Sequence, residues 1–213
     1  MTVIPQLSSS LNQRDEHPNL ELALQIVQSE NYEAVKELID NLENKNENIQ
    51  SDCIKVLYEI GIQKPELISE YDHVFFSLLE SKTNRLVRGA MTALNGICNL
   101  YPDKVHESLS KIIIAAKRGS VITKDHAANI LIKLTGNKTY HDEASGLLLS
   151  QLGSCPPNQL AMYSETAFPV LSGEDKEAFI RLLQSRLGDM ENESKRKREE
   201  RVINKLPKRT GLS

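Results

Sequence analysis

Few residues of this chain could carry acid–base or metal chemistry, and they are widely scattered. The chain has five histidines, His17, His73, His106, His126 and His141, and none has the H-E-x-x-H spacing or another spacing typical of metal ligands. The densest ionisable group is TYHDE, Thr139 to Glu143, which could supply proton donors and acceptors. Thr139 and Asp142 also have the spacing of a helix capping box, and adjacent helical residues point in different directions. We therefore predict surface histidines, no catalytic residue and no metal site.

The three cysteines, Cys53, Cys98 and Cys155, have spacings that suit neither a disulfide framework nor a zinc site. This indicates a reducing compartment, and we expect a cytoplasmic protein. Cys53 and Cys98 fall among small apolar residues and should pack as buried hydrophobes. Cys155 precedes two prolines and is expected to be the more exposed thiol. Because G-x-S-x-G, P-loop and Rossmann motifs are absent from the sequence, we predict no cofactor.

Charge is distributed unevenly along the chain. Residues 1–70 hold 13 acidic and 5 basic residues, whereas residues 191–213 hold 4 acidic and 8 basic ones. The KRKR run, Lys195 to Arg198, could contact nucleic acid by neutralising phosphates, or serve as a nuclear address in a eukaryote. It could equally be a solvated tail, because Glu199 and Glu200 weaken its field. The nucleic-acid candidates are Lys195, Arg196, Lys197, Arg198 and Arg201, supported by Arg85, Arg88, Lys117, Arg118 and Lys124 in the rest of the chain.

The elements that would position these residues are revealed by an internal repeat. The stretch from Asn48 to Ile68 aligns with the stretch from Arg85 to Val105 at an offset of 37 residues, and Thr123 to Gly136 forms a third copy. Apolar residues superpose in all three copies: Cys53, Val56, Leu57 and Ile60; Ala90, Ala93, Leu94 and Ile97; Ala127, Ile130, Leu131 and Leu134. Their i, i+3, i+4, i+7 spacing is that of a helix with one buried face.

Each copy follows a second amphipathic stretch, so the repeating unit is a helical hairpin. The preceding helices are predicted at Tyr32 to Leu42, Tyr71 to Glu80 and Lys104 to Lys117. No alternating stretch competes as a strand, and no apolar run approaches the roughly 20 residues that cross a membrane. The predicted fold is all-α, a right-handed α-solenoid of helical hairpins with no membrane contact.

Three regions are expected along the chain. Residues 1–19 read as a flexible N-terminal arm, and residues 20–190 as the solenoid. Three prolines between Gln151 and Glu174 break the period, so a degenerate repeat ending in a helix from Glu174 to about Met190 should cap the stack. Residues 191–213 form a basic charged tail that either extends this helix or is disordered.

The stretch HVFFSLLESKTNRLVRGAMTALNGI, His73 to Ile97, resembles a HEAT or armadillo-like repeat. Val87 and Arg88 match the Val-Arg pair that opens the second helix of such a repeat, and the apolar residues from Ala90 to Ile97 match the helix itself. The resemblance covers roughly residues 20 to 150. The Arg position is Ser51 in the preceding copy and Asp125 in the following one. The resemblance implies that the second helices line a concave face.

On that basis we expect a non-enzymatic scaffold that binds a protein or peptide partner on its concave face. The expected contact residues are Lys55, Glu59, Arg88, Thr92, Asn95, Asn99, Asn129 and Lys133. They are polar and small, which suits recognition of another macromolecule better than catalysis in a closed pocket. The alternatives are nucleic-acid binding through the basic residues, and an enzyme by analogy with HEAT-like DNA glycosylases or bilin lyases, which share this scaffold.

Overall fold

The structure is a computed structural model that describes residues 2–205, and within that range it contains helices and no strand. The helices are α1 (His17–Ser29), α2 (Tyr32–Asp40), α3 (Glu47–Gln63), α4 (Asp72–Leu78), α5 (Asn84–Ile97), α6 (Pro102–Glu107), α7 (Leu109–Arg118), α8 (Val121–Thr135), α9 (His141–Ser154), α10 (Pro157–Ala167), α11 (Gly173–Arg186) and α12 (Glu193–Ile203). Short 3-10 turns occupy Ile4–Gln6, Asn41–Glu43, Pro65–Leu67, Ser69–Tyr71 and Leu187–Asp189. The predicted all-α class is confirmed.

The chain divides into two compact units, one up to Ala127 and one from Ala128 onward, so the boundary falls within α8. In the first unit α3 packs against α1, α2 and α5, and α4 packs against α5. In the second unit α9 contacts α10 and α11, and α12 packs mainly on α10.

The residues that superpose at the offset of 37 form the core of each copy. The four apolar residues of α3 and the four of α5 are fully buried, and the four of α8 are at most 1% exposed. Each fully buried Leu or Ile contributes roughly 1.5–3 kcal/mol relative to an exposed one, which is why the apolar stripe persists while other positions vary. The periodicity therefore identified the packed face of all three second helices.

Glycines allow α3 and α5 to approach until their backbones touch. A Cβ atom built on Gly96 would lie 2.7 Å from the carbonyl oxygen of Gly61, and one built on Gly89 would lie 2.3 Å from a side-chain carbon of Ile54. Neither distance is possible between real atoms without movement of the neighbour. Gly61 and Gly96 therefore fix how closely the two second helices stack.

The sequence predicts a flexible arm over residues 1–19, whereas the structure shows this segment, from residue 2, packed within the first unit. Leu7 is fully buried. The backbone N–H of Val3 donates to Glu37 Oε2 at 2.9 Å. Ser9 N–H donates to Asp52 Oδ2 at 2.7 Å. These partners lie 34 and 43 residues away in the sequence, so no local pattern could indicate them.

The helix predicted from Lys104 to Lys117 is two helices. The chain leaves the α-helical region at Ser108, where φ is −101° and ψ is 12°, and this residue separates α6 from α7. The helix predicted from Glu174 to about Met190 ends at Arg186 and continues only as a 3-10 turn. Periodicity located these helices correctly but could not detect the breaks.

The charged tail expected from residue 191 contains a folded helix, α12, which does not continue α11. Glu199 and Val202 are buried, although the charge density of this segment indicated solvent exposure throughout. Residues 206–213, which include Lys208 and Arg209, lie outside the described part of the chain.

Replacing Gly96 by Ala should destabilise the protein by about 1–3 kcal/mol, because the backbones of α3 and α5 must separate to admit a methyl group. Gly146 in α9 is a matched control, since a Cβ there meets no atom within 4 Å. Gly146→Ala should stabilise by about 0.5–1 kcal/mol through the lower entropy of the unfolded chain. Urea unfolding followed by circular dichroism measures both changes. Stabilisation by both substitutions would contradict the close helix approach.

Candidate partner-binding face

The neighbouring helices α3 and α5 carry most of the predicted contact residues of the first unit. Lys55 and Glu59 lie on α3, Arg88, Thr92 and Asn95 lie on α5, and Asn99 lies just beyond its end. α3 and α5 touch through their glycines, and their accessible polar residues contribute to the surface of this helix pair. We call this surface the α3–α5 face and define it by Lys55, Glu59, Arg88, Asn95 and Asn99.

The Lys55 ammonium group, in the α3 part of this face, is held in place by neighbouring side chains. Its Nζ lies 2.9 Å from both Glu59 Oε1 and Glu16 Oε2 and 4.9 Å from the centroid of the Tyr58 ring. Burial lowers the pKa of Lys55, but hydrogen bonds to Tyr58, Glu16 and Glu59 outweigh it and raise the pKa overall. The lysine is therefore firmly protonated and neutralised locally, and it stiffens the face.

The α5 part of the face presents one cation and two amides. Arg88 is half-buried, and its guanidinium makes no hydrogen bond or ion pair within residues 2–205. Asn95 Nδ2 lies 3.1 Å from His126 Nδ1, which anchors the amide to the start of α8. Asn99 is exposed. Arg88 is thus ready to donate several hydrogen bonds to an acceptor that residues 2–205 do not supply.

Thr92 was expected on the same surface, and the structure corrects that prediction. Its side chain is buried, and Oγ1 donates to the carbonyl oxygen of Arg88 at 2.9 Å, one turn earlier in α5. A short hydroxyl can satisfy itself on its own helix in this way, whereas a longer amide cannot.

The two remaining predicted contact residues, Asn129 and Lys133, belong to the second unit. Both lie on the part of α8 beyond Ala127 and are half-buried. Their side chains are therefore accessible in that unit.

The basic residues of α12 are largely paired with carboxylates. Lys197 Nζ lies 2.6 Å from Glu193 Oε1, and Arg196 Nε lies 3.3 Å from Glu200 Oε1. Arg198 makes a bidentate contact with Glu165 of α10, with its Nε 2.9 Å from Oε1. Lys195 is half-buried and Arg201 is exposed. The helix therefore presents less free positive charge than its sequence suggests.

A buried carboxyl group holds α12 against α10. Glu199 Oε1 accepts a hydrogen bond from Ser164 Oγ at 2.9 Å, and Glu199 Oε2 is buried without a partner in the described residues. Burial raises the pKa of Glu199, the Ser164 hydroxyl lowers it and Glu165 raises it, with smaller lowering effects from Arg186 and Arg198. The net direction is upward.

The whole chain is similar to several solved repeat proteins. A designed armadillo repeat protein in complex with the peptide (KR)4 shares 17% identity and a TM-score of 0.65 over 94% of this chain and 98% of that one. A computationally designed armadillo repeat protein for modular peptide recognition shares 16% identity and a TM-score of 0.66 over 96% of this chain and 100% of that one. No protein-family model and no curated protein matches the sequence.

The chain has an armadillo-like helical-repeat fold. At identities of 16–17% the likeness extends to the fold alone. In this armadillo-like fold α3 and α5 are the equivalent second helices of successive repeats, as their offset of 37 residues indicates.

Within the armadillo-like fold, the histidine of the TYHDE stretch makes contacts that join helices of the second unit. His141 Nδ1 lies 2.7 Å from the Thr135 carbonyl oxygen, and His141 Nε2 lies 3.1 Å from Asp175 Oδ2. The expected capping box is not formed, because α9 begins at His141 and Tyr140 is its N-cap without a side-chain hydrogen bond. His141 thus connects the end of α8, the start of α9 and α11 in the second unit.

The cysteines are all buried and free, and Cys155, at 8% exposure, is the most exposed of the three, as predicted. Burial raises the pKa of Cys53 to about 12, and Asp52 and Glu37 add to the effect. Burial also raises the pKa of Cys155, against the lowering effect of Arg186. Neither thiol is activated toward nucleophilic chemistry.

Residues 2–205 contain neither a cluster of metal ligands nor a membrane-spanning helix. No group of three or more His, Cys, Asp and Glu side chains there is arranged to hold a metal ion. None of the helices in that part combines the length and the apolar character needed to cross a membrane.

Glu199→Gln should remove a loss of stability that the wild-type protein shows over the pH range above about 5. A carboxyl group with a raised folded-state pKa stabilises fully below its unfolded pKa, and that contribution is lost as pH rises through the folded-state pKa. The wild-type protein should therefore lose stability relative to the Gln variant as pH rises across this window. Urea unfolding at several pH values measures the difference.

Glu165→Gln is the control for this experiment. The hydrogen bond from Arg198 lowers the pKa of Glu165, so this group stays ionised throughout the same window. Its substitution should keep the pH dependence due to Glu199 but reduce its size, because Glu165 no longer raises the pKa of Glu199. A pH-independent difference between wild type and Glu199→Gln would refute a titrating role for Glu199.

Proposed function

We propose that this protein is a non-enzymatic scaffold that binds an extended peptide segment of a partner protein on the α3–α5 face. The observation that carries the proposal is half-buried Arg88, whose guanidinium has no partner within residues 2–205, beside polar side chains on two touching helices. Its donors are therefore available to an acceptor on a partner, and hydrogen bonds from a charged group are stronger than neutral ones.

The chemistry of this face suits a peptide backbone. Arg88 offers donors in a planar fork, Asn99 offers both donor and acceptor, and Asn95 is oriented by His126. The charge of Lys55 is compensated by Glu59 and Glu16, so Lys55 adds polarity without a strong positive field. Similarity to repeat proteins designed for peptide recognition supports the same proposal at the level of the fold.

Nucleic-acid binding through α12 is the less favoured alternative. Three of its five predicted contact residues are engaged in ion pairs with Glu193, Glu200 and Glu165. A phosphate would have to compete with these carboxylates. The cytoplasmic location expected from the cysteine spacing remains part of the proposal.

A random octapeptide library displayed on phage and selected against the full-length protein should yield binders that require Arg88. Arg88→Ala should raise the Kd of a selected peptide by about 10- to 100-fold, since hydrogen bonds from a charged group contribute roughly 1.5–3 kcal/mol. Fluorescence anisotropy with the labelled peptide measures the change. Arg14→Ala removes an exposed arginine outside α3 and α5 and should leave the Kd unchanged.

The same assay separates the peptide proposal from the alternative. A labelled DNA duplex should not show the salt-sensitive binding that phosphate contacts produce. Few basic side chains of α12 are available to make such contacts. Duplex binding lost on replacing Lys195 and Arg201 by Ala, together with peptide binding that is indifferent to Arg88, would refute the proposal.

A further inference from the structure

The first helix of the chain carries an exposed leucine surface bordered by acidic residues. Leu20 and Leu24 are one turn apart on α1 and therefore share a face, and Leu11 lies on the segment that precedes α1. The three leucines are 42–48% exposed. Asp15, Glu16 and Glu21 are exposed around them. We call these six residues the leucine edge.

Residues 11–24 have a net negative charge, because they hold three acidic residues and one basic residue, Arg14. Some of this charge is already engaged. Glu16 pairs with Lys55, and Glu21 Oε1 lies 3.4 Å from His17 Nδ1. Asp15 accepts only the local N–H of His17. The leucine edge thus combines accessible aliphatic side chains with carboxylates.

A second exposed apolar surface of the same unit is basic. Ile114 on α7 and Val121 and Ile122 at the start of α8 are 43–58% exposed. Residues 111–124 contain four basic residues and no acidic one. Lys117 and Arg118 lie on the same side of α7 as Ile114, being three and four residues away. We call Ile114, Lys117, Arg118, Val121, Ile122 and Lys124 the basic patch.

The charges of the basic patch are only partly used within the chain. Arg118 donates to the Leu79 carbonyl oxygen, and neighbouring Lys111 lies 3.8 Å from Glu80. The Lys117 side chain is exposed and makes no hydrogen bond or ion pair within residues 2–205. The patch thus combines three accessible aliphatic side chains with the exposed positive charge of Lys117.

We propose that the leucine edge of one copy of this chain docks on the basic patch of a second copy. Each surface has three accessible aliphatic side chains at its centre, and the charges at the two rims are opposite in sign. Aliphatic contact then supplies the affinity, and the acidic and basic rims set the orientation. Because the two surfaces differ, the contact is heterologous and leads to a ring or an open chain of copies.

This association involves α1, α7 and the start of α8, and it meets the α3–α5 face at Glu16, whose carboxylate pairs with Lys55. A second copy fits better than a nucleic acid, because a nucleic acid would leave the leucine edge uncovered. It also fits better than an anionic membrane, which would leave the same leucines exposed.

Sedimentation velocity of the full-length protein over a concentration series tests the proposal. We expect dimers or larger species that dissociate as salt rises. The variants Leu20→Gln/Leu24→Gln and Ile114→Gln/Ile122→Gln remove the apolar centre of one surface each and keep the charge. Each variant alone should associate roughly tenfold or more weakly than the wild type. Met162→Gln removes an exposed apolar side chain in the second unit and should change nothing.

Mixing the two double variants is the decisive step. Each retains the surface that the other lacks, so the mixture should form a 1:1 dimer that cannot grow further. A wild-type protein that stays monomeric at every concentration would overturn the proposal. Association lost only in the leucine-edge variant would overturn it too, because that pattern means a symmetric contact. A third outcome would overturn the proposal as well. In it, the wild-type protein is monomeric but binds phosphatidylserine vesicles or a DNA duplex, and the basic-patch variant loses that binding.

Discussion

The backbone contact between α3 and α5 is the constraint on which the candidate partner-binding face depends. With no side chain at Gly61 or Gly96, the two helices stack closely enough for their apolar residues to be fully buried. A wider separation would open gaps in this core and would also pull Lys55 and Glu59 away from Arg88 and Asn95. One short contact thus sets both the stability of the first unit and the spacing of its polar groups.

The polar groups of the α3–α5 face are held in place because they are partly buried. Half-buried charges and amides must find partners, and most of them do so within the chain: Lys55 with Glu16 and Glu59, and Asn95 with His126. What remains is a surface whose side chains have little freedom left to lose when a partner binds. Such preorganisation favours recognition, because side chains that folding has already ordered lose little further conformational entropy when a partner binds.

The sequence predicted the repeat well because helix packing leaves a periodic trace. The apolar stripe at an offset of 37 residues identified the buried residues of α3, α5 and α8. The contacts made by polar side chains left no such trace. Thr92 was misplaced because its hydroxyl bonds to its own helix, and Glu16 and His126 went unnoticed because their partners lie 31 to 39 residues away. Likewise, the buried Glu199 and the packed N-terminal segment depend on long-range hydrogen bonds rather than on local pattern.

The copies of the repeat are not interchangeable modules. Asp52 in α3 accepts hydrogen bonds from Ser9 N–H and from Asn19 Nδ2, and so it fastens the start of the chain. The residue 37 positions later is Gly89, where any side chain would strike Ile54. The same position in the repeat therefore holds a carboxylate that binds the N-terminal segment in one copy. In the next copy it holds a glycine, because there is no room for a side chain. An engineer who lengthened this protein by duplicating one hairpin would have to redesign that position, because each copy is adapted to its own neighbour.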